Sequence, residues 1–140
     1  MTLFYRLLAD LDVYNQSLTD DELLKPLMPA YYAPEAMTKN DKSQICLWLR
    51  NYQQRASQDG LSNEVRRKNM NATNPKYVLR NYMAQLAIDD AEQGDFALVN
   101  ELLDVLRHPY YDQKEKEHFA VKRPDWARHR AGCSMLSCSS

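Results

Sequence analysis

The side chains with the clearest potential for chemistry are sulfur and nitrogen groups near the end of the chain. Four of them are of types that bind zinc: His118, His129, Cys133 and Cys138. Zinc sites usually take such ligands from closely spaced pairs such as C-x-x-C, and the chain contains no pair of that kind. The spacing therefore predicts no metal site.

Nucleotide chemistry would require glycines close together, because a phosphate-binding loop brings its backbone against the phosphate. Glycine occurs only at positions 60, 94 and 132. The kinase-like set of a glycine-rich loop, a strand lysine, a catalytic-loop aspartate and a metal-binding aspartate is also missing. We therefore predict no catalytic and no cofactor-binding residue in this chain.

Charged clusters also favour structural interpretations. Asp89 and Asp90 are adjacent on a predicted helix, so their side chains point about 100° apart and are better placed for salt bridges than for one metal ion. The cluster Arg66-Arg67-Lys68 is typical of a solvated helix face. Lys76 and Arg80 lie four residues apart, and we expect them to pair with nearby acids.

Tyrosine side chains combine apolar area with a hydroxyl group, which suits both packing and binding. Four of them lie in the second half of the chain: Tyr77, Tyr82, Tyr110 and Tyr111. Tyr82 shares a predicted helix face with Leu79, Met83 and Leu86. We therefore favour packing over a binding surface.

Composition bounds the class of protein. With 140 residues and 44% hydrophobic content, the chain can form one domain. Its 18 basic and 19 acidic residues nearly balance, so neither nucleic acid nor a membrane surface is an expected partner. The three cysteines are too few for a disulfide framework, and no apolar stretch is long enough to cross a bilayer. We expect a soluble protein of the cytoplasm.

Helix formers dominate and alternating β-branched residues are nearly absent, which predicts an all-α fold. We expect an irregular bundle of about five to six helices, with a helical domain over 1–112 and a polar tail over 113–140. Asn74 and Pro75 predict a helix start, while Gly94 and Asp95 predict its end and the next start. Together they predict an αα-hairpin over 75–107.

Smaller signals complete the expected bundle. Thr19 with Glu22 forms a capping-box pattern, and Ser62 or Asn63 can cap another helix. Trp48 is expected to be a core anchor of a long helix. The proline-rich segment 26–34 is expected to be irregular, and the last ten or so residues are expected to be mobile.

Several separated pieces of the chain resemble the C-terminal region of the selenoprotein O family. They are Asn74 to Tyr82 (NPKYVLRNY), Ala91 to Asp95 (AEQGD), Pro109-Tyr110, Pro124 to Ala127 (PDWA) and Ser137 to Ser140 (SCSS). The family has a kinase-like fold and transfers AMP from Mg-ATP to Ser, Thr or Tyr hydroxyls of proteins. The resemblance places the ATP, magnesium and catalytic residues in a kinase-like core that precedes this region, and it names that core as the partner.

The same resemblance singles out Cys138, because some family members carry selenocysteine at this third position from the end. It implies a redox role, in which a reversible disulfide to the kinase-like core restrains activity. Within this chain the candidate partners are Cys133, Cys46 or a cysteine of a second chain. An unpaired and chemically ordinary thiol is the alternative.

Two functions follow from these observations. The first is the C-terminal helical fragment of a selenoprotein O-like protein adenylyltransferase, inactive alone and carrying a redox tail. The second is a freestanding helical interaction module without catalytic activity. The first predicts an exposed apolar patch where the kinase-like core would pack, whereas a polar exterior would favour the second.

Overall fold

A computed structural model describes residues 2–130 and 132–133, and these residues form only helices and connecting segments. The α-helices are α1 (Thr2–Leu8), α2 (Asp20–Leu24), α3 (Lys39–Ser57), α4 (Asn63–Thr73), α5 (Asn81–Glu92) and α6 (Ala97–Arg107). The 3₁₀ helices are Lys25–Ala30, Pro34–Ala36, Lys114–Phe119 and Asp125–Arg128. The predicted all-α class is confirmed. None of the described helices has the length and apolar composition of a membrane span.

The chain divides into two compact units, Met1–Asn74 and Pro75–Ser140. The predicted division into 1–112 and 113–140 stays a prediction about domain organisation. The described part of 113–140 contributes Phe119, Ala120 and Ala127 to the core of the second unit. Most of the last ten residues, which were expected to be mobile, lie outside the described part.

The first unit has a leucine-rich core closed by capped helices. Its buried members are Leu8, Leu11, Leu23, Leu24, Leu27, Cys46 and Leu49. The predicted capping box is confirmed, since Glu22 N–H donates to Thr19 Oγ1 at 3.3 Å and Thr19 N–H donates to Glu22 Oε2 at 2.8 Å. Ser62 caps α4 by accepting from Val65 N–H at 3.3 Å. Part of the segment expected to be irregular is a 3₁₀ helix, Lys25–Ala30, which contains two prolines.

Arg66 contradicts the interpretation of its cluster as a solvated face, because it is only 6% exposed. Its guanidinium donates to the carbonyl oxygens of Leu8, Ala9 and Leu11 at the end of α1, and to the Tyr52 hydroxyl at 3.0 Å. The last carbonyls of a helix lack helical partners and attract positive charge. Arg66 therefore caps the C-terminal end of α1, although the two are more than fifty residues apart in sequence.

Trp48 is not the core anchor that its helical stripe predicts. Its residue remains 46% exposed, whereas the adjacent Leu49 is fully buried. The buried face of α3 is formed by Cys46, Leu49, Gln53 and Ala56, so Trp48 lies at the edge of that face. Its ring stacks on Tyr52 with centroids 5.6 Å apart.

The second unit contains the predicted hairpin, but α5 begins at Asn81 and not after Pro75. Residues 75–80 form no helix, and Lys76 N–H and Tyr77 N–H both donate to the Pro109 carbonyl, at 2.7 and 3.1 Å. Asn74 instead ends α4, where its backbone N–H and its Nδ2 both donate to the Met70 carbonyl. The turn after α5 is as predicted, with Gly94 in the left-handed region at φ +86°.

Asp95 was expected to be the N-cap of α6, but it lies one residue before the N-cap position. Phe96 occupies the N-cap position, and Asp95 Oδ1 accepts from Ala97 N–H at 2.9 Å. The interpretation of the tyrosines is confirmed for Tyr77 and Tyr82, which are buried in the core of this unit. Tyr110 and Tyr111 are exposed.

Replacing Arg66 tests its role in closing α1. We expect Arg66→Met to lower the free energy of unfolding by roughly 3 kcal/mol, because the carbonyl oxygens of Ala9 and Leu11, just after α1, lose the guanidinium that donates to them. Urea denaturation measures the effect. The matched control is Arg67→Met, since exposed Arg67 only pairs with Asp10 at 3.4 Å and should lose less than about 1 kcal/mol. Equal losses in the two variants would contradict this role.

Removing the hydroxyl oxygen of Tyr77 tests how the non-helical segment before α5 is attached. The Tyr77 hydroxyl donates to the Gln113 carbonyl at 3.0 Å and accepts from the Gln113 N–H at 3.1 Å. We expect Tyr77→Phe to cost about 1 to 2 kcal/mol, since two backbone groups lose a partner. Tyr111→Phe, at a residue that is 69% exposed, should leave the thermal midpoint unchanged. A neutral Tyr77→Phe would show that water replaces both bonds.

Candidate functional site

The described residues nearest in sequence to Cys138 pack against helix α5, in a cluster that we term the C-terminal anchor. The anchor consists of Trp126, Arg130 and Cys133 together with Gln85 and Asp89 on α5. Gln85 and Asp89 are four residues apart, so the helical repeat places them on one face of α5. Gln85 Nε2 donates to Asp89 Oδ1 at 2.9 Å, and the Arg130 guanidinium donates to Asp89 Oδ2. Asp89 therefore forms the predicted salt bridge.

Aromatic contacts hold the same segment against α5. The Trp126 ring meets the buried Tyr82 edge to face, with centroids 6.0 Å apart and planes at 86°. The Arg130 guanidinium lies 5.9 Å from the centroid of Trp126, which is within cation–π range. Between them, Ala127 is fully buried. The segment 124–130 is therefore held by packing as well as by charge.

Cys133 follows this segment and is only 2% exposed, within the core of the second unit. Its N–H donates to the Arg130 carbonyl at 3.2 Å. Gly132 before it has φ +78°, a backbone conformation that favours glycine, and a Cβ there would lie 2.0 Å from Oε1 at the flexible end of the Gln85 side chain. Cys133 is thus placed as a shielded thiol. Cys138, the predicted redox residue, lies outside the described residues.

Cys46, another candidate partner, is a buried thiol of the first unit. Its Sγ lies 3.6 Å from the Asp20 carbonyl oxygen, to which it can donate a hydrogen bond. Burial raises the pKa of the Cys46 thiol, and the negative charge of Asp20 raises it further. Because the thiolate is the reactive form, Cys46 is a poor nucleophile at neutral pH.

Lys76 pairs with acids, as predicted. Its Nζ lies 2.8 Å from Asp112 Oδ1 and 2.5 Å from Glu117 Oε1. Burial alone would lower the pKa of Lys76, but the hydrogen bonds to both carboxylates outweigh it and raise the pKa above its usual value. Lys76 therefore stays charged and serves to fix the segment after α6. In the described ranges, no three His, Cys, Asp or Glu side chains converge as metal ligands would.

No family model matches this chain. Protein nucleotidyltransferase YdiU of Rhodopirellula baltica is 52% identical over an aligned length of 147 residues, gaps included. This alignment covers all of this chain and 27% of the relative. The proteins of the same name from Aromatoleum aromaticum and Tolumonas auensis are 52% and 49% identical over 140 residues, again covering all of this chain and 25% and 26% of the relatives.

The chain belongs to the YdiU family. The resemblance to selenoprotein O, which is the same family under another name, is therefore confirmed. The chain spans about a quarter of the length of the relatives it matches. Its family motifs have structural roles in the described residues, since Tyr77 fixes the non-helical segment before α5, Gly94 forms the turn of the hairpin and Trp126 holds the anchor.

Sequence reasoning missed Arg66 and the partner of Asp89. No local pattern identifies either contact, because Arg66 reaches carbonyls 55 to 58 residues away and Arg130 reaches back 41 residues. The glycine at position 132 was the one available signal, since a glycine next to a cysteine in a polar segment can mark a close approach.

Opening the anchor should expose Cys133. In a Cys138→Ser background, we expect Arg130→Gln to speed alkylation of Cys133 about fivefold, because a partly exposed ion pair contributes up to about 1 kcal/mol. Peptide mass spectrometry measures the rate, with Cys46 as a slow internal reference. Arg107→Gln removes a comparable pair with Asp104, at 3.1 Å on α6, and should leave the rate unchanged. Equal rates in both variants would show that packing alone shields the thiol.

Proposed function

We propose that this chain is the C-terminal helical part of a protein nucleotidyltransferase that transfers AMP from Mg-ATP to Ser, Thr or Tyr hydroxyls of other proteins. The observation that carries the proposal is the identity of 49 to 52% over the whole chain to proteins named as nucleotidyltransferases. Such identity over every helix indicates the same structural part in the same kind of protein.

In this proposal the ATP, the magnesium ion and the catalytic residues belong to the kinase-like core, which lies in the other three quarters of the relatives. The charged groups described above support this division, because they are used within the helical units. Asp89 pairs with Arg130, Lys76 pairs with two carboxylates, and Arg66 closes α1. In this proposal the chain alone is inactive, and its location is the cytoplasm.

The proposed role of the chain is to brace the kinase-like core and to present the tail thiol. The anchor holds Cys133 against α5, five residues before Cys138. Cys138 forms a disulfide with a cysteine of the core, and the two thiols give up two protons and two electrons to a small disulfide oxidant. A thiol reductant reverses the step. Cys133 is the less accessible partner because its thiol is buried.

A chimera tests the nucleotidyltransferase assignment. The matching quarter of the Aromatoleum aromaticum protein is replaced by this chain, and AMP incorporation from labelled ATP into protein is measured. We expect transfer by the chimera, none by the isolated chain, and none by the chimera without magnesium. AMP transfer by the isolated chain would place catalytic residues within it and contradict the proposal. An inactive but folded chimera would favour the interaction module.

The same chimera tests the tail thiol. We expect oxidised glutathione to reduce its activity and a thiol reductant to restore it, whereas the Cys138→Ser chimera should not respond to either reagent. Cys133→Ser is the matched control and should keep the response, because Cys133 is buried. A response that survives Cys138→Ser would remove the tail thiol from the mechanism.

A further inference from the structure

Helix α6 has apolar residues on two neighbouring sides, roughly 100° apart around its axis. One side carries Leu102 and Val105, which are buried in the core of the second unit. The other carries Val99 and Leu103, together with Phe96 at the N-cap, and these three are 40%, 50% and 57% exposed. The spacings of three and four residues put these three side chains next to one another along the helix. We term Phe96, Val99 and Leu103 the α6 stripe.

The α6 stripe is a more informative surface than Trp48, another of the large apolar residues that are exposed. Trp48 is already in contact within its own unit, since its ring stacks on Tyr52 and lies 5.9 Å from Phe4. The α6 stripe lies outside the buried core cluster of the second unit, as do its flanking charges, Asp104 and Arg107. Single exposed apolar residues are ordinary on protein surfaces, but three adjacent ones beside a buried face indicate a contact surface.

The length of the relatives indicates what covers this surface. The chain is about half identical to proteins four times as long, so its surfaces correspond to those of a helical part in a larger polypeptide. An apolar stripe about 10 Å long, flanked by charges, matches the ridge that one helix packs into the groove of another element. A partner of the same polypeptide needs no separate association, which suits a stripe of this modest size.

We infer that the α6 stripe is the surface through which this chain docks on the remaining part of a YdiU-family protein. The inference rests on the proposed function for the identity of the partner, and it assigns the contact to three named side chains. Leu103 lies within this stripe, so a probe at this position should be protected when the partner docks.

Thiol protection tests the contact independently of activity. Leu103→Cys and Lys68→Cys are placed in a Cys138→Ser background, both in the isolated chain and in the Aromatoleum aromaticum chimera. We expect maleimide to label both positions quickly in the isolated chain, and to label Leu103→Cys at least about tenfold more slowly in the chimera. Lys68→Cys is an exposed position on α4 and should label equally fast in both.

A second measurement avoids the chimera altogether. A cysteine at the position aligned with Leu103 in the full-length Aromatoleum aromaticum protein should be protected to the same extent. Equal labelling of this position in the isolated chain and in either longer protein would overturn the inference. Protection that appears in the isolated chain as its concentration rises would assign the stripe to a second copy, and would also overturn it.

The two proposals can fail separately. Protection of Leu103→Cys in a folded chimera that transfers no AMP would support the docking surface and contradict the proposed activity. AMP transfer by a chimera that leaves Leu103→Cys fully reactive would support the activity and contradict the docking surface.

Discussion

The second unit depends on the two-way hydrogen bond between the Tyr77 hydroxyl and the backbone of Gln113. Tyr77 is buried, so its hydroxyl must find partners inside the protein, and Gln113 offers both a carbonyl and an N–H. This pairing holds the segment after α6 against the non-helical segment that precedes α5. Lys76 adds two carboxylates from the same loop, and Pro109 accepts the two backbone N–H groups.

The requirements of Tyr77 explain why the helix predicted at Pro75 does not form. Asn74 and Pro75 do satisfy local rules for a helix start, and Pro75 would fit the first helical position. The non-helical backbone over 75–80, however, lets Lys76 and Tyr77 both reach Pro109, and it lets the Tyr77 ring enter the core. Burial of a large aromatic side chain with a satisfied hydroxyl contributes more than one helical turn at the protein surface.

Local sequence patterns predicted the features that are determined by neighbours in sequence. The Thr19 capping box, the Ser62 cap and the Gly94 turn all depend on residues within four positions of one another. The features that could not be predicted depend on distant partners. Arg66 belongs to a basic cluster that looks solvated, and only the position of the end of α1 shows that its charge is buried. Trp48 has the periodicity of a core residue, but the direction of the α3 core face is set by Cys46, Leu49 and Gln53.

The candidate site shows the same division, and it also limits where the proposed disulfide partner of Cys138 could lie. Family resemblance identified Cys138, whereas the anchor that fixes its starting point depends on Asp89, Arg130 and the close approach at Gly132. Five residues separate Cys133 from Cys138, and a fully extended chain of that length spans no more than about 18 Å between Cα atoms. In the proposed mechanism, and while the anchor holds, a cysteine of the kinase-like core can reach Cys138 only if it lies within that distance of Cys133, extended by the length of the disulfide itself. The burial of Cys133 and the Arg130 contact together would then set how far the proposed redox thiol can reach.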